Sequence, residues 1–207
     1  MAFVDDIYEQ ALTADYSIDI REHLPTLREY ASRCDAVTEL GVRWVVSTWA
    51  FLAGRPKVLR SFDIVPVSDY GRSEEDIKSA AAEVNVVFNF YAENVLTTNN
   101  ITDTDMLFID TLHSYKQLKL ELYLHGNKAK KYIIFHDVVT FGEADELALA
   151  EDPSWPDSLK EIYRSLPEGF GINQAIVEFI TDNTHWRADK LFSNNNGLLI
   201  LSRLPDA

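Results

Sequence analysis

Glu39, Asp63, Asp110 and Asp137 stand at or beside the ends of four short apolar runs, AVTEL, KVLRSFDI, DMLFID and KYIIFHD. In an open α/β sheet the ligand lies beyond the carboxyl ends of the strands, so carboxylates ending successive strands converge on one crevice. There they can accept from ribose hydroxyls, meet an ammonium group, hold a hard cation or orient a base. A single strand end can also carry a carboxylate merely because the chain is emerging into water; four together favour a shared site. His113 follows Asp110 by three residues. An imidazole titrates near pH 6.5, roughly where a general base is useful, and Asp110 or Asp137 could orient the ring. The plainer alternative is a residue that caps or packs locally at a helix start.

The turn Glu39-Leu40-Gly41-Val42-Arg43-Trp44 leaves the first run and leads to a helix beginning near Ser47. Free backbone N–H groups and the positive helix end favour a carboxylate there, and a glycine allows close approach to the backbone. An amino-acid carboxylate fits that place, with Glu39 beside it to meet the ammonium. Asp63 follows Gly41 by roughly 20 residues, the spacing at which Rossmann-like folds place a ribose-binding acid. Neither GxGxxG nor GxxxxGK[ST] occurs, so a pyrophosphate cradle and a P-loop lack support. The ligand expected is a nucleoside without a diphosphate.

These residues need a scaffold, and the chain alternates short β-branched or apolar runs with longer amphipathic stretches, the pattern of a βαβ sheet with helices on both faces. Helical pieces are predicted at Asp5 to Ala14 and Pro25 to Cys34, within residues 1–35, as a cover for the sheet or the substrate opening. Strands follow at Ala36 to Leu40, Lys57 to Ile64, Asn85 to Tyr91, Asp105 to Asp110 and Lys131 to Asp137. Helices are expected from Ser47 to Gly54, from a capping box at Ser73 and Asp76 through Val84, and from Ser114 to Asn127. Residues 138–170 read as an irregular insertion with a helix near Ser158 to Leu166. Its Phe141, Trp155 and Tyr163 either form a lid over the acceptor or simply pack. After a helix from Ile172 to Thr181, two β runs joined by Asn194-Asn195-Asn196-Gly197 signal a hairpin. The fold class is α/β, a mostly parallel seven-stranded sheet closed by an antiparallel hairpin.

Length and charge narrow the class. With 207 residues the chain suits one domain, since single cores stop growing near roughly 250 to 300 residues. A net charge of −14 argues against a grip on nucleic acid or anionic lipid, which needs clustered Lys and Arg. A small or neutral substrate fits better. The lone Cys34 can form no internal disulfide, and no stretch reaches the roughly 18 apolar residues of a membrane span. MAFVDDIYEQ carries no basic region followed by an apolar run, so the cytoplasm is the expected compartment. The sequence is compatible with a homo-oligomer.

From Thr38 to Arg203 the sequence resembles class I S-adenosylmethionine-dependent methyltransferases, in particular the methyltransferase 24 family, related to cephalosporin hydroxylase-like and macrolide sugar O-methyltransferases. The matching segments are TELGVRWVVSTWAFL, DMLFIDTLHSYKQLKLEL, YIIFHD and NNNGLLIL. The resemblance implies a Rossmann-like methyltransferase fold and places the methionine end of the cofactor at Glu39, Gly41, Val42 and Ser47. It puts the ribose at Asp63 and the adenine near Ala92 and Glu93, with Asp110 also on the cofactor. In some relatives the positions of Asp110, His136 and Asp137 bind magnesium, and the position of His113 is the base for a sugar hydroxyl. Two departures stand out. Val45 replaces the second motif glycine and is expected to narrow the approach to the methionine end. His136 replaces a carboxylate, and magnesium prefers oxygen ligands; His136 could equally be a buried, hydrogen-bonded histidine.

The implied activity is O-methylation of a sugar or other small hydroxylated acceptor, with His113 as base and Asp110 beside it. A sulfonium methyl is already activated, so alignment supplies much of the acceleration. A noncatalytic S-adenosylmethionine-binding or partner-binding protein of the same fold is the alternative, and a nicotinamide oxidoreductase a third that the missing glycine fingerprint disfavours.

Overall fold

The computed structural model describes residues 2–205. Among these, seven strands form one sheet: β1 (Ala36–Leu40), β2 (Val58–Asp63), β3 (Val87–Ala92), β4 (Thr104–Ile109), β5 (Ala129–His136), β6 (Trp186–Phe192) and β7 (Leu198–Arg203). Their order is β3-β2-β1-β4-β5-β7-β6. Neighbours among β1 to β5 pair in parallel, and β7 runs antiparallel between β5 and β6. This is the sheet expected from the run-and-turn pattern. Strand order reverses beside β1, and the carboxyl ends of β1 and β4 open there into the crevice such sheets use for ligands.

Helices α1 (Phe3–Ala11), α2 (Leu24–Ala31), α3 (Val46–Gly54) and α4 (Glu74–Glu83) precede β3, and α5 (Tyr115–His125), α6 (Asp157–Ser165) and α7 (Ile172–Asp182) follow β4. Side chains alternate along each strand between two apolar layers. Val37, Phe108, Ile134 and Ile200 pack with Leu27, Phe51 and Ala80 of α2, α3 and α4. Leu40, Leu107, Ile133, Phe135 and Leu201 pack with Leu118, Leu159 and Phe179 of α5, α6 and α7. Each such fully buried side chain is worth about 1.5–3 kcal/mol of burial, so the strand register is firmly fixed. It follows that His136, two residues beyond Ile134, projects to the layer of α1 to α4.

Local chemistry sets the ends that matter. Ser73 Oγ accepts from the Asp76 N–H at 3.1 Å, capping α4 as its spacing predicts. Ser114 Oγ accepts from the Gln117 N–H at 3.3 Å and starts α5 directly after His113. β3 begins at Val87 rather than Asn85, because Asn85 takes a left-handed φ of 59° in leaving α4. α1 and α2 end earlier than predicted, at Ala11 and Ala31, and both pack on α3. The segment between them is tied to the β6–β7 turn. There the Glu22 N–H donates to Asn195 Oδ1 at 2.9 Å, and Asn195 Nδ2 donates to the Ile18 carbonyl at 2.7 Å. Among the described residues no helix is long and apolar enough to cross a membrane.

Candidate active site

A cavity of about 440 Å³ opens at the carboxyl ends of β1, β2, β4 and β5, within the range of small-molecule sites. One side is built by Gly41, Val42, Ser47 and Asp63, with Trp44 and Tyr70 above and Asn94, Val95 and Leu96 beyond. The other side carries Asp110, His113 and Asp137, with Glu146, Leu149 and Trp155 from the insertion. Tyr16, Asp19 and Ile20, from the segment between α1 and α2, complete the wall.

Gly41 holds a φ of +87°, and a β-carbon there would lie 1.9 Å from the Asp110 carbonyl oxygen. Its N–H donates to the Phe62 carbonyl and the Asp110 N–H to the Leu40 carbonyl. The turn out of β1 thus lies directly against the end of β4. Asp63 is the strut of this turn. Its Oδ2 accepts from the N–H groups of Val42 and Arg43, each at 2.9 Å, and its Oδ1 from that of Val65 at 2.9 Å. A carboxylate has about four lone-pair sites, which leaves one for a ligand hydroxyl.

Several sequence expectations are corrected. Glu39 is fully buried on the α3 side of β1 and lies outside the cavity wall. Ser47, Thr48 and Ser61 donate to it at 2.6, 2.8 and 2.5 Å, so it anchors α3 from below rather than meeting an ammonium. Burial raises its pKa to about 7, against those hydrogen bonds. Val45 has a left-handed φ of 67°, the conformation its missing glycine would supply, but its side chain lies in the core with Val42 and Trp49. It therefore does not narrow the cavity. Ala92 and Glu93 do not line it either. Glu93 turns to Thr98 and Asn100, and Asn94 to Leu96 form the wall because the loop crosses toward α5, where His125 bonds the Val95 carbonyl.

At the other end, His113 Nε2 lies 3.1 Å from Asp110 Oδ1 and 3.2 Å from Asp137 Oδ2, while its Nδ1 meets Glu146 Oε2 at 3.0 Å. Phe141 stacks on its ring at 5.1 Å between centroids. Burial works against charge on this ring, but the hydrogen bond and charge of Asp110, with Asp137 and Glu146, raise its pKa. The ring therefore titrates above the ordinary imidazole value. Burial also opposes ionisation of Asp110, yet His136 and His113 hold its carboxyl well below the usual range.

His136 does not face the cavity. Its Nδ1 lies 3.3 Å from Asp110 Oδ1 and 3.1 Å from Asp137 Oδ2, and its Nε2 3.2 Å from the Asn195 carbonyl. Burial disfavours its charge, but Asp110 and then Asp137 outweigh burial and raise its pKa to about 10. Both of its ring nitrogens are thus turned to oxygen acceptors, which leaves neither aimed at a cation in the cavity. Asp110, His113 and Asp137 do bring one potential ligand atom each within 4.8 Å. Their facing oxygens are already engaged by both imidazoles, however, and this arrangement does not fit magnesium.

Glu146, Asn195, the Tyr16–Ile20 segment and Asn94 to Leu96 were not singled out from the sequence as site residues. Only the Asn-rich turn gave a signal, and it was read as a hairpin turn. In the insertion, Trp155 is a buried wall residue packed at 5.5 Å against Tyr163.

No family model matches the chain, and no curated protein matches it. Solved structures do share its fold. A protein from Staphylococcus aureus assigned as a caffeoyl-CoA O-methyltransferase aligns with a TM-score of 0.60 at 12% identity, over 98% of this chain and 93% of that one. TomG, an O-methyltransferase of tomaymycin synthesis from Streptomyces achromogenes solved with S-adenosylmethionine, gives 0.56 at 15% identity over 89% and 81%. The N-methyltransferase NodS from Bradyrhizobium japonicum, with S-adenosyl-L-homocysteine, gives 0.54 at 13% identity over 98% and 99%. At such identities the likeness is one of fold, and the fold is the Rossmann-like one of methyltransferases.

Proposed function

We propose that the protein is an S-adenosylmethionine-dependent methyltransferase acting on the hydroxyl of a small acceptor, such as a sugar. The observation that carries this reading is the single cavity joining the Gly41 turn and Asp63 to His113 and Asp137. The three structural neighbours described above are named as methyltransferases, and two of them were solved with the methyl donor or its demethylated product. When bound, S-adenosylmethionine supplies a methyl group already activated on a sulfonium. The protein then has to bind, align and accept one proton.

Asp63 holds the Val42 and Arg43 N–H groups in place and keeps one lone pair for a ribose hydroxyl. Asn94 to Leu96 give a partly apolar wall for the base, and the first turn of α3, whose Val46 and Ser47 line the cavity, suits the amino-acid carboxylate. The proton of the acceptor hydroxyl passes to His113 Nε2 once that ring is neutral, with Glu146 holding Nδ1–H as a third group orients a base. Among the described residues five carboxylates line the cavity, Asp19, Asp63, Asp110, Asp137 and Glu146, against Arg43 as the one arginine or lysine. Such a site disfavours anionic acceptors and suits neutral hydroxylated ones. A noncatalytic reading drew on Val45, and the core position of that side chain removes its support.

The test is transfer of a labelled methyl group to a panel of sugars and phenols, with release of S-adenosylhomocysteine, in the parent and His113→Ala. Loss of a positioned base should slow transfer by about 10²- to 10⁴-fold. A protein that neither binds nor consumes S-adenosylmethionine contradicts the reading.

A further inference from the structure

Two carboxylate oxygens, Asp110 Oδ1 and Asp137 Oδ2, each face the same two ring nitrogens. His136 Nδ1 lies 3.3 and 3.1 Å from them, and His113 Nε2 lies 3.1 and 3.2 Å from them. The four atoms make a closed ring of alternating nitrogen and oxygen. The far nitrogen of His136 meets the Asn195 carbonyl at 3.2 Å. A carboxylate and a carbonyl can only accept, so His136 satisfies both partners only by donating from both nitrogens and carrying a charge. His113, between the same carboxylates and Glu146, is likewise charged until it gives up its Nε2 proton.

That charge is held in place from several directions. His136 is 2% exposed, and the register of β5 with β7, which pairs His136 with Leu198, fixes the face on which it projects. His23 packs edge-on to it at 5.7 Å between ring centroids. The His23 Nε2 in turn lies 3.0 and 3.1 Å from the carbonyls of Asn194 and Asn195. The turn carbonyl that orients His136 is thus itself clamped by the segment between α1 and α2.

A divalent cation at Asp110, His113 and Asp137 would need the same two oxygens and a lone pair on His113 Nε2. It would also sit beside a fixed positive ring. We propose that the His136 imidazolium serves as the permanent cation of this site, in the place a divalent metal would take, and that His136 is the residue that excludes one. Its use in catalysis rests on the methyl-transfer reading; its exclusion of metal does not. A fixed charge beside two carboxylates lowers their cost of burial and offsets the negative charge that develops on an acceptor oxygen. It is a positioning residue, acting through Asp110 and Asp137.

The test is titration of the protein with Mn²⁺, followed by the electron paramagnetic resonance signal of the free ion. The parent should leave that signal undiminished at millimolar Mn²⁺. His136→Glu, which exchanges the cation for a third carboxylate, should bind Mn²⁺ at least tenfold more tightly than the parent. A parent that binds Mn²⁺ below millimolar concentration, with binding lost in Asp110→Asn, overturns the proposal. So does a folded His136→Glu protein that binds no better than the parent. Should His136→Glu fail to fold, nitrogen-15 spectra of the parent histidines decide. Both His136 ring nitrogens protonated at neutral pH support the proposal, and a neutral tautomer overturns it. None of these readings requires the methyl donor, so failure of the methyl-transfer reading shows separately, as absent binding of S-adenosylhomocysteine.

Discussion

Gly41 lies so close beneath Asp110 that a β-carbon on it would fall 1.9 Å from the Asp110 carbonyl oxygen. This contact joins the turn after β1 to the end of β4, so the two sides of the cavity are packed directly against one another. Gly41→Ala meets both that overlap and a φ of +87°. It should destabilise the fold by about 3 kcal/mol or more, since left-handed strain and a backbone clash add. Urea unfolding of the variant measures it, and a loss below 1 kcal/mol would mean that the turn is not packed in this way.

Asp63 gives a binding prediction. Three N–H groups of the turn donate to its carboxylate, and hydrogen bonds to charged groups are worth about 1.5–3 kcal/mol each. Asp63→Asn turns one acceptor oxygen into a donor amide. It should weaken S-adenosylhomocysteine binding by roughly 10- to 100-fold, taking one such bond as lost. Isothermal titration reads the change directly, and an unaltered affinity would remove Asp63 from the binding surface.

The rate should rise with pH. The proposed base, His113, can take a proton only when neutral, and its pKa is raised by Asp110, Asp137 and Glu146 despite burial. Transfer should therefore increase through a limb lying above the ordinary histidine value of about 6.5. Glu146→Gln removes one of the groups that raise the pKa, so its limb should shift to lower pH. A limb at the same pH in both proteins would detach Glu146 from the base.

Stability should fall with pH over a higher window. His136 has a folded pKa of about 10, against about 6.5 for an unfolded histidine. Because the folded value is the higher one, the stabilisation is complete below pH 6.5 and is lost as pH rises through 10. One proton held only by the folded state gives a slope of up to about 1.4 kcal/mol per pH unit. His136→Gln should lack that component when its unfolding free energy is compared with the parent from pH 7 to pH 10. Equal slopes would mean that the ring is not held charged.

The sheet was legible because its signals are local. Unbroken apolar runs such as YIIFHD mark strands buried on both faces, and the Asn-rich turn tolerates the positive φ values found at Asn195, Asn196 and Gly197. Asp110 and His113 could be paired from spacing alone, since both flank one strand end. What stayed hidden depends on chain crossings. Nothing near residue 22 shows that its segment will bond a turn beginning at residue 194, and so nothing revealed that Asn195 orients His136. Glu39 is similar: its alternation on β1 points it toward α3, but the three hydroxyls that saturate it become visible only when α3 and β2 are packed. The resemblance pointed to Ala92 and Glu93, whereas the next residues, Asn94 to Leu96, line the cavity, because the direction of the loop after β3 is set by α5.

The most direct measurement is thermal unfolding of the protein with S-adenosylmethionine, S-adenosylhomocysteine and NAD in parallel. A ligand present at 100-fold above its dissociation constant adds about 2.7 kcal/mol of stability. Both the methyl donor and its demethylated product should raise the melting temperature, by less in Asp63→Asn, and NAD should not. A protein whose melting temperature ignores both thioether nucleosides, or answers only to NAD, would contradict the assignment of this cavity.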